Sequence, residues 1–264
     1  MPGQPGIFFA MYYFLIFLFG TVFGSFFNVC ISRIPVKKSV VYPDSSCPVC
    51  KTNIKPYHNI PILSYILLKG KCSYCGTKIN IHYFLVEVLT PLLFILLFAG
   101  LGAKFSIVYF KYVIFISFGI IIFFIDLYNY IIPDKLSLPL IAIGLIFSIV
   151  PYSDINWISA GIGALSGFLL FLFTAYFFQK ITEKDSLGGG DIKLIGAIGA
   201  FLGVWGTLFT ILFSSLIAIF TLLVIKHDRQ KHFPFGPFLI VGSLFYILAG
   251  NALIRLYLRL FNLY

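Results

Sequence analysis

The feature that most constrains this chain is a succession of apolar runs, several of them long enough to cross a lipid bilayer. A membrane helix needs roughly 17 to 25 such residues. Runs of this kind fall at about 7–29, 83–101, 107–125, 137–151, 156–179, 191–204, 206–225 and 236–254, the shorter ones requiring tilt or packing to compensate. With 60% hydrophobic and 11% charged residues and a mean hydropathy of +1.00, one soluble core cannot take up this apolar surface. The pattern predicts an all-α polytopic membrane protein of about eight transmembrane helices. Residues 1–30 lack a basic n-region and outrun an ordinary signal-peptide core, so they are expected to stay as the first membrane helix.

The formal charge of +10 would suggest nucleic acid in a soluble protein, but here its placement speaks to orientation. With the N-terminus outside, every Lys and Arg except Lys104, Lys111, Arg255 and Arg259 falls in or beside the connections 31–82, 126–136, 180–191 and 226–235. The positive-inside rule then puts those four connections in the cytoplasm. Anionic lipid accounts for the excess charge, and no nucleic-acid partner is expected. Oligomeric state carries no signal in the sequence.

Only residues 31–82 are long and polar enough to form a separate unit. The expected organisation is a first helix over 1–30, a cytoplasmic insert over 31–82 and a membrane core over 83–264, with no internal repeat of 20 to 50 residues. The insert contains Cys47-Pro-Val-Cys50 and Cys72-Ser-Tyr-Cys75. Two C-x-x-C turns can aim four thiolates at one tetrahedral zinc, in the manner of a zinc ribbon. A closed four-sulfur shell leaves no place for substrate, so the metal is expected to be structural, stabilising a segment with too little core of its own. Two disulfides are the alternative, disfavoured in a reducing compartment. His58 and His82 are expected at surfaces or interfaces, and Cys30 as a packing residue.

The chain has only nine acidic residues, and two of them adjoin membrane helices. Asp126 follows the apolar run 120–125, and Asp191 follows Gly188-Gly-Gly190 at the start of another. Carboxylates at such depth are costly and usually face a partner or a wet cavity. Two that meet can share one proton, one activating water while the other protonates a carbonyl oxygen. The glycines would let an extended substrate backbone approach. Simpler readings stay open, with Asp191 as a helix cap and Asp126 as a boundary residue. Asp134, after Pro133, reads as a turn or cap and is the chief rival for the pair. Glu183, Asp185 and Asp228 read as loop charges.

Read together, the local strings resemble the bacterial type IV prepilin peptidases. They are Gly24-Ser-Phe-Phe-Asn-Val-Cys-Ile-Ser-Arg-Ile-Pro35, the paired C-x-x-C knuckles, Asn59-Ile-Pro-Ile-Leu-Ser-Tyr65 and Leu85-Val-Glu-Val-Leu-Thr90. Then follow Asp126-Leu-Tyr-Asn-Tyr-Ile-Ile-Pro-Asp134, Gly188-Gly-Gly-Asp-Ile-Lys-Leu194 and Pro234-Phe-Gly-Pro-Phe238. The resemblance implies that Asp126 and Asp191 are a catalytic pair, with Gly188 and Gly190 in the G-x-G-D loop. It implies cleavage of prepilin or pseudopilin leaders after a glycine at the cytoplasmic face. It further implies, for many members, methylation of the new N-terminus, commonly phenylalanine, by S-adenosylmethionine. No dinucleotide-type glycine fingerprint supports that donor independently. In the same reading the insert helps form the methyl-transfer or substrate site, and Glu87 either contributes to it or is a buried interfacial carboxylate. Two rivals are a transporter using the aspartates as a proton relay, which leaves the cysteines unexplained, and a methyltransferase without proteolysis.

Overall fold

The computed structural model describes residues 5–182, 188–225 and 233–260, and these are almost entirely helical. The helices are α1 (Pro5–Arg33), α2 (Leu63–Leu67), α3 (Ile81–Gly100), α4 (Ile107–Asn129), α5 (Asp134–Ile149), α6 (Trp157–Thr182), α7 (Gly189–Ile225) and α8 (Gly236–Leu260). Among the described residues α1, α3, α4, α6 and α7 are each long and apolar enough to cross a membrane, and the chain is a multi-pass membrane protein. Glu183, Asp185 and Asp228 lie outside the described residues. The chain forms two compact units, Met1–Gly102 and Ala103–Tyr264.

In the first unit α1 packs on α3 through small residues. A Cβ on Gly20 would sit 2.5 Å from Pro91 Cα, and one on Gly24 would sit 2.9 Å from Glu87 Cα. In lipid, where burial alone does not drive helices together, such close backbone approach supplies the packing. Asn80 caps α3 by accepting the His82 N–H at 3.1 Å, and Asn28 of α1 donates to the Tyr83 carbonyl at 2.9 Å. These bonds fix the end of α3 from which the polar segment emerges. Cys30 is buried, as a packing residue would be.

The second unit is built of α4 to α8. Helix α4 does not stop at the end of the apolar run. It continues to Asn129 and closes with Tyr130 in the left-handed region at φ 56°, so Asp126 lies inside its last turn. At its other end Lys111 is buried and paired with Asp154 of the α5–α6 connection at 2.5 Å, while the Tyr112 hydroxyl donates to the same carboxylate.

Residues Gly189–Ile225 form one continuous helical segment, α7, which Gly203 divides into the two helices expected over 191–204 and 206–225. Gly203 has φ 68° and ψ −174°, a conformation in practice reserved for glycine. A Cβ on Gly167 of α6 would meet both the Ile195 carbonyl, at 3.1 Å, and Thr207 Cγ2, at 3.0 Å. In an unbroken helix those residues would stand about 18 Å apart. The chain therefore folds back at Gly203, and α7 is two arms. Gly163 of α6 packs against the reversal, where a Cβ would fall 2.6 Å from the Gly199 carbonyl oxygen.

Candidate active site and metal centre

Asp126 is buried at 5% exposure, and its Oδ2 accepts the backbone N–H of Gly236, at the start of α8, at 3.1 Å. Gly236 is required there by space: a Cβ would come within 2.7 Å of that oxygen. An anion facing the first N–H of a helix is also favoured by the helix dipole. The Pro234–Phe238 string carries this glycine, but no spacing rule reveals that it serves a carboxylate 110 positions earlier.

Asp191 is the third residue of α7, and its N–H bonds the Gly188 carbonyl at 3.0 Å. Its Oδ1 is buried with no hydrogen-bond partner among the described residues. Ile132 of the α4–α5 connection lies between the supports of the two carboxylates. A Cβ on Gly190 would meet Ile132 Cβ at 2.7 Å, and one on Gly236 would meet Ile132 Cδ1 at 3.0 Å. Gly188 faces Asp191 itself, where a Cβ would sit 3.1 Å from Oδ2, whereas Gly189 has open space. The first and third glycines are thus fixed by contact, and the second is free.

Asp134 is drawn elsewhere. It opens α5 and pairs with Lys193 at 2.6 Å, its side chain 56% exposed. The structure therefore brings Asp126 and Asp191 together and uses Asp134 to tie the start of α5 to the start of α7.

The candidate metal site lies wholly in the first unit. The Sγ atoms of Cys47, Cys50, Cys72 and Cys75 all fall within 4.8 Å of one another, and none is in a disulfide. Cys47 and Cys75 are 3.8 Å apart, the edge of a tetrahedron whose metal–sulfur bonds are about 2.3 Å. The two knuckles also share one local pattern. Cys47 N–H bonds the Thr52 carbonyl at 3.0 Å and Cys72 N–H the Thr77 carbonyl at 2.8 Å. Both read C-x-x-C-x-T-x-I, with Lys51 (φ 58°) and Gly76 (φ 70°) at the matching left-handed position. The Thr77 hydroxyl, 3.3 Å from Cys75 Sγ, together with its backbone, lowers that thiol to about 6, so one ligand is readily ionised. His58 bonds the Ser73 hydroxyl at 3.0 Å and is not part of the sulfur cluster.

Between these knuckles, α1 and α3 lies a cavity of about 990 Å³. Tyr65, Tyr74 and Tyr83 give it aromatic faces, and Glu87 gives it a carboxylate from α3. Glu87 Oε2 accepts the Ile62 N–H at 2.7 Å.

The chain's similarities divide along the same line as its units. The description Bacterial Peptidase A24 N-terminal domain matches residues 18–101, and Type IV leader peptidase family matches residues 113–223. A prepilin leader peptidase/N-methyltransferase of Neisseria gonorrhoeae is 36% identical over 264 residues, covering 89% of this chain and 90% of that protein. A protein of the same description from Aeromonas salmonicida is 34% identical over 293 residues, covering 97% and 96%. One from Bacillus subtilis is 34% identical over 253 residues, covering 93% and 98%. No solved structure matches.

Proposed function

The chain belongs to the type IV leader peptidase family, and from that premise we propose that it removes the leader of prepilins or pseudopilins with Asp126 and Asp191 as the catalytic pair. The observation that carries this reading is the convergence of two carboxylates from different helices, Asp126 held by Gly236 and Asp191 with a buried, unpartnered oxygen. Two like charges that meet at one site favour a state in which the pair shares one proton. The ionised member takes a proton from water, which attacks the scissile carbonyl, and the protonated member gives its proton to the carbonyl oxygen. The first glycine of the loop leaves the Asp191 carboxylate uncrowded, and the third admits Ile132. The cut falls after a glycine, at the cytoplasmic face of the inner membrane, where the connections containing both aspartates lie by the charge rule.

The four cysteine thiolates hold zinc as a structural cross-link, to which their number, separations and chemistry are suited. The same enzyme methylates the N-terminus that it exposes, as the description of its relatives implies of them. The cavity of the first unit fits a nucleoside-linked methyl donor such as S-adenosylmethionine in size and lining. That donor supplies an electrophilic methyl group on a sulfonium. The chain's part is to bind it against tyrosine faces, keep water out and orient the acceptor.

The test is to incubate the purified protein with a prepilin, with and without S-adenosylmethionine, and weigh the products. Leader loss in both and a gain of one methyl only with the donor is the expected result. Leader removal that persists in Asp126→Asn or Asp191→Asn would overturn the assignment of the pair.

A further inference from the structure

The cavity of the first unit contains a carboxylate that lacks a countercharge. Glu87 Oε2 accepts a hydrogen bond from the Ile62 N–H at 2.7 Å, a neutral donor. Among the described residues no Lys, Arg or His lies within ion-pair distance of it, although Arg33, Lys38, Lys51 and Lys78 all line the same cavity. Asp44, the other acidic group of the lining, is exposed. A half-buried carboxylate held by a neutral donor is well placed to receive a cation.

The donor it holds belongs to a strained segment. Ile62 has φ 65° and ψ −54°, and Leu63 N–H bonds the Pro61 carbonyl at 2.7 Å. This is the rare γ-turn, carried by a β-branched residue for which positive φ is costly. Asn59 and Pro61 of the same strap line a second pocket, of about 280 Å³, together with Val22 and Phe26 of α1. Those two apolar side chains are 62% and 47% exposed, so the strap stands between the cavity and a flank of α1 suited to lipid. Asn59 lines both spaces.

We propose that Glu87 is the receptor for the free N-terminal amine of the cleaved substrate, which reaches the cavity past the Asn59–Ile62 strap and replaces the Ile62 N–H on the carboxylate. The proposal rests on the methyltransferase reading above. Leader removal leaves a primary ammonium on an apolar segment, and both halves of that ligand find their match: a carboxylate inside and an apolar flank outside. The ammonium cannot be methylated until it loses a proton. Glu87 takes that proton, freeing the nitrogen lone pair. The nitrogen then bonds the methyl carbon as the carbon–sulfur bond breaks, the bonding pair stays on sulfur, and the product is a secondary ammonium.

Glu87→Gln separates this role from that of a simple latch, because the amide oxygen can still accept the Ile62 N–H while the charge is gone. Calorimetry on the full-length protein in detergent, without methyl donor, would use a peptide beginning with phenylalanine followed by an apolar segment, either with a free N-terminus or N-acetylated. The wild-type protein is expected to bind the free amine about tenfold more tightly than the acetylated peptide, and Glu87→Gln to bind the two alike. With donor present, Glu87→Gln raises KM and lowers kcat for the free-amine peptide, since both the charge that holds the ammonium and the base that takes its proton are gone, and Glu87→Asp restores part of each. A wild-type zinc-to-protein ratio in each variant establishes that the insert is folded. An undiminished preference in Glu87→Gln overturns the proposal. A wild-type protein that prefers the free amine yet transfers no methyl group leaves the amine site standing and overturns the methyltransferase reading.

Discussion

The two units assemble their sites in opposite ways. In the first, the metal ligands come from two turns with the same local pattern, closed by the same backbone bonds, and chemistry and shape are written within eight consecutive residues each time. In the second, Asp126 ends one helix, Asp191 begins another, and the group that holds Asp126 begins a third. A site made of local turns depends on its own ligands. A site made of helix ends depends on every contact that sets where those ends fall.

The largest expected effect breaks the second site alone. Asp126→Asn or Asp191→Asn should lower leader removal by about a hundred- to ten-thousandfold while the zinc content stays at the wild-type ratio; peptide mass analysis and metal analysis on one preparation check both. Cys72→Ser is the reciprocal test. It should remove bound zinc and abolish methyl transfer, with a much smaller loss of leader removal, and equal loss of the two activities would show that the contrast between the units is false.

Gly236→Ala sharpens the contrast from within the second unit. Its Cβ would fall 2.7 Å from Asp126 Oδ2, so the carboxylate must shift. Leader removal should drop about ten- to a hundredfold in kcat with little change in KM, as expected when a reacting group is displaced and substrate binding is not.

The metal knuckles should respond to pH through Cys75. Its thiol titrates at about 6, below the ordinary value, so the thiolate persists as pH falls from 9 toward 6 and is lost only below that. Because bound zinc competes with protons for the sulfur, it should stay bound at pH 7 and be released only at pH below about 6. Thr77→Val removes the hydroxyl that favours the thiolate and should move release to higher pH, measured with a chromogenic chelator. The smallest effect belongs to Asp134→Asn. Its pair with Lys193 is solvent-exposed, and such pairs are worth about 1 kcal/mol or less, so leader removal should fall about fivefold at most and become less sensitive to salt.

The legibility of the sequence follows the same division. The four cysteines and their tetrahedral purpose are readable because ligand spacing is a local property. The local pattern they share is hidden by the unlike residues between Cys and Thr. The apolar runs mark the helices because the bilayer imposes their length, yet they mislead at ends: α4 continues past Ile125 because Tyr130 can adopt the left-handed cap, which hydropathy does not register. Asp126 and Asp191 are conspicuous as charges, but their meeting depends on how α4, α7 and α8 pack. Gly236 and Ile132 are invisible for that reason. The Ile62 strap is hidden as well, since an isoleucine gives no hint of positive φ.

The reversal at Gly203 also governs how this protein can be made. The arms Gly189–Leu202 and Val204–Ile225 are joined by one residue, whose carbonyl accepts the Thr207 hydroxyl at 2.7 Å, and Trp205 beside it is 77% exposed, as suits an anchor at the bilayer surface. With no hydrophilic linker between them, the arms are short of chain to stand apart in water and are suited to enter lipid as one hairpin, which leaves their far ends, Asp191 at one of them, on the same side of the bilayer.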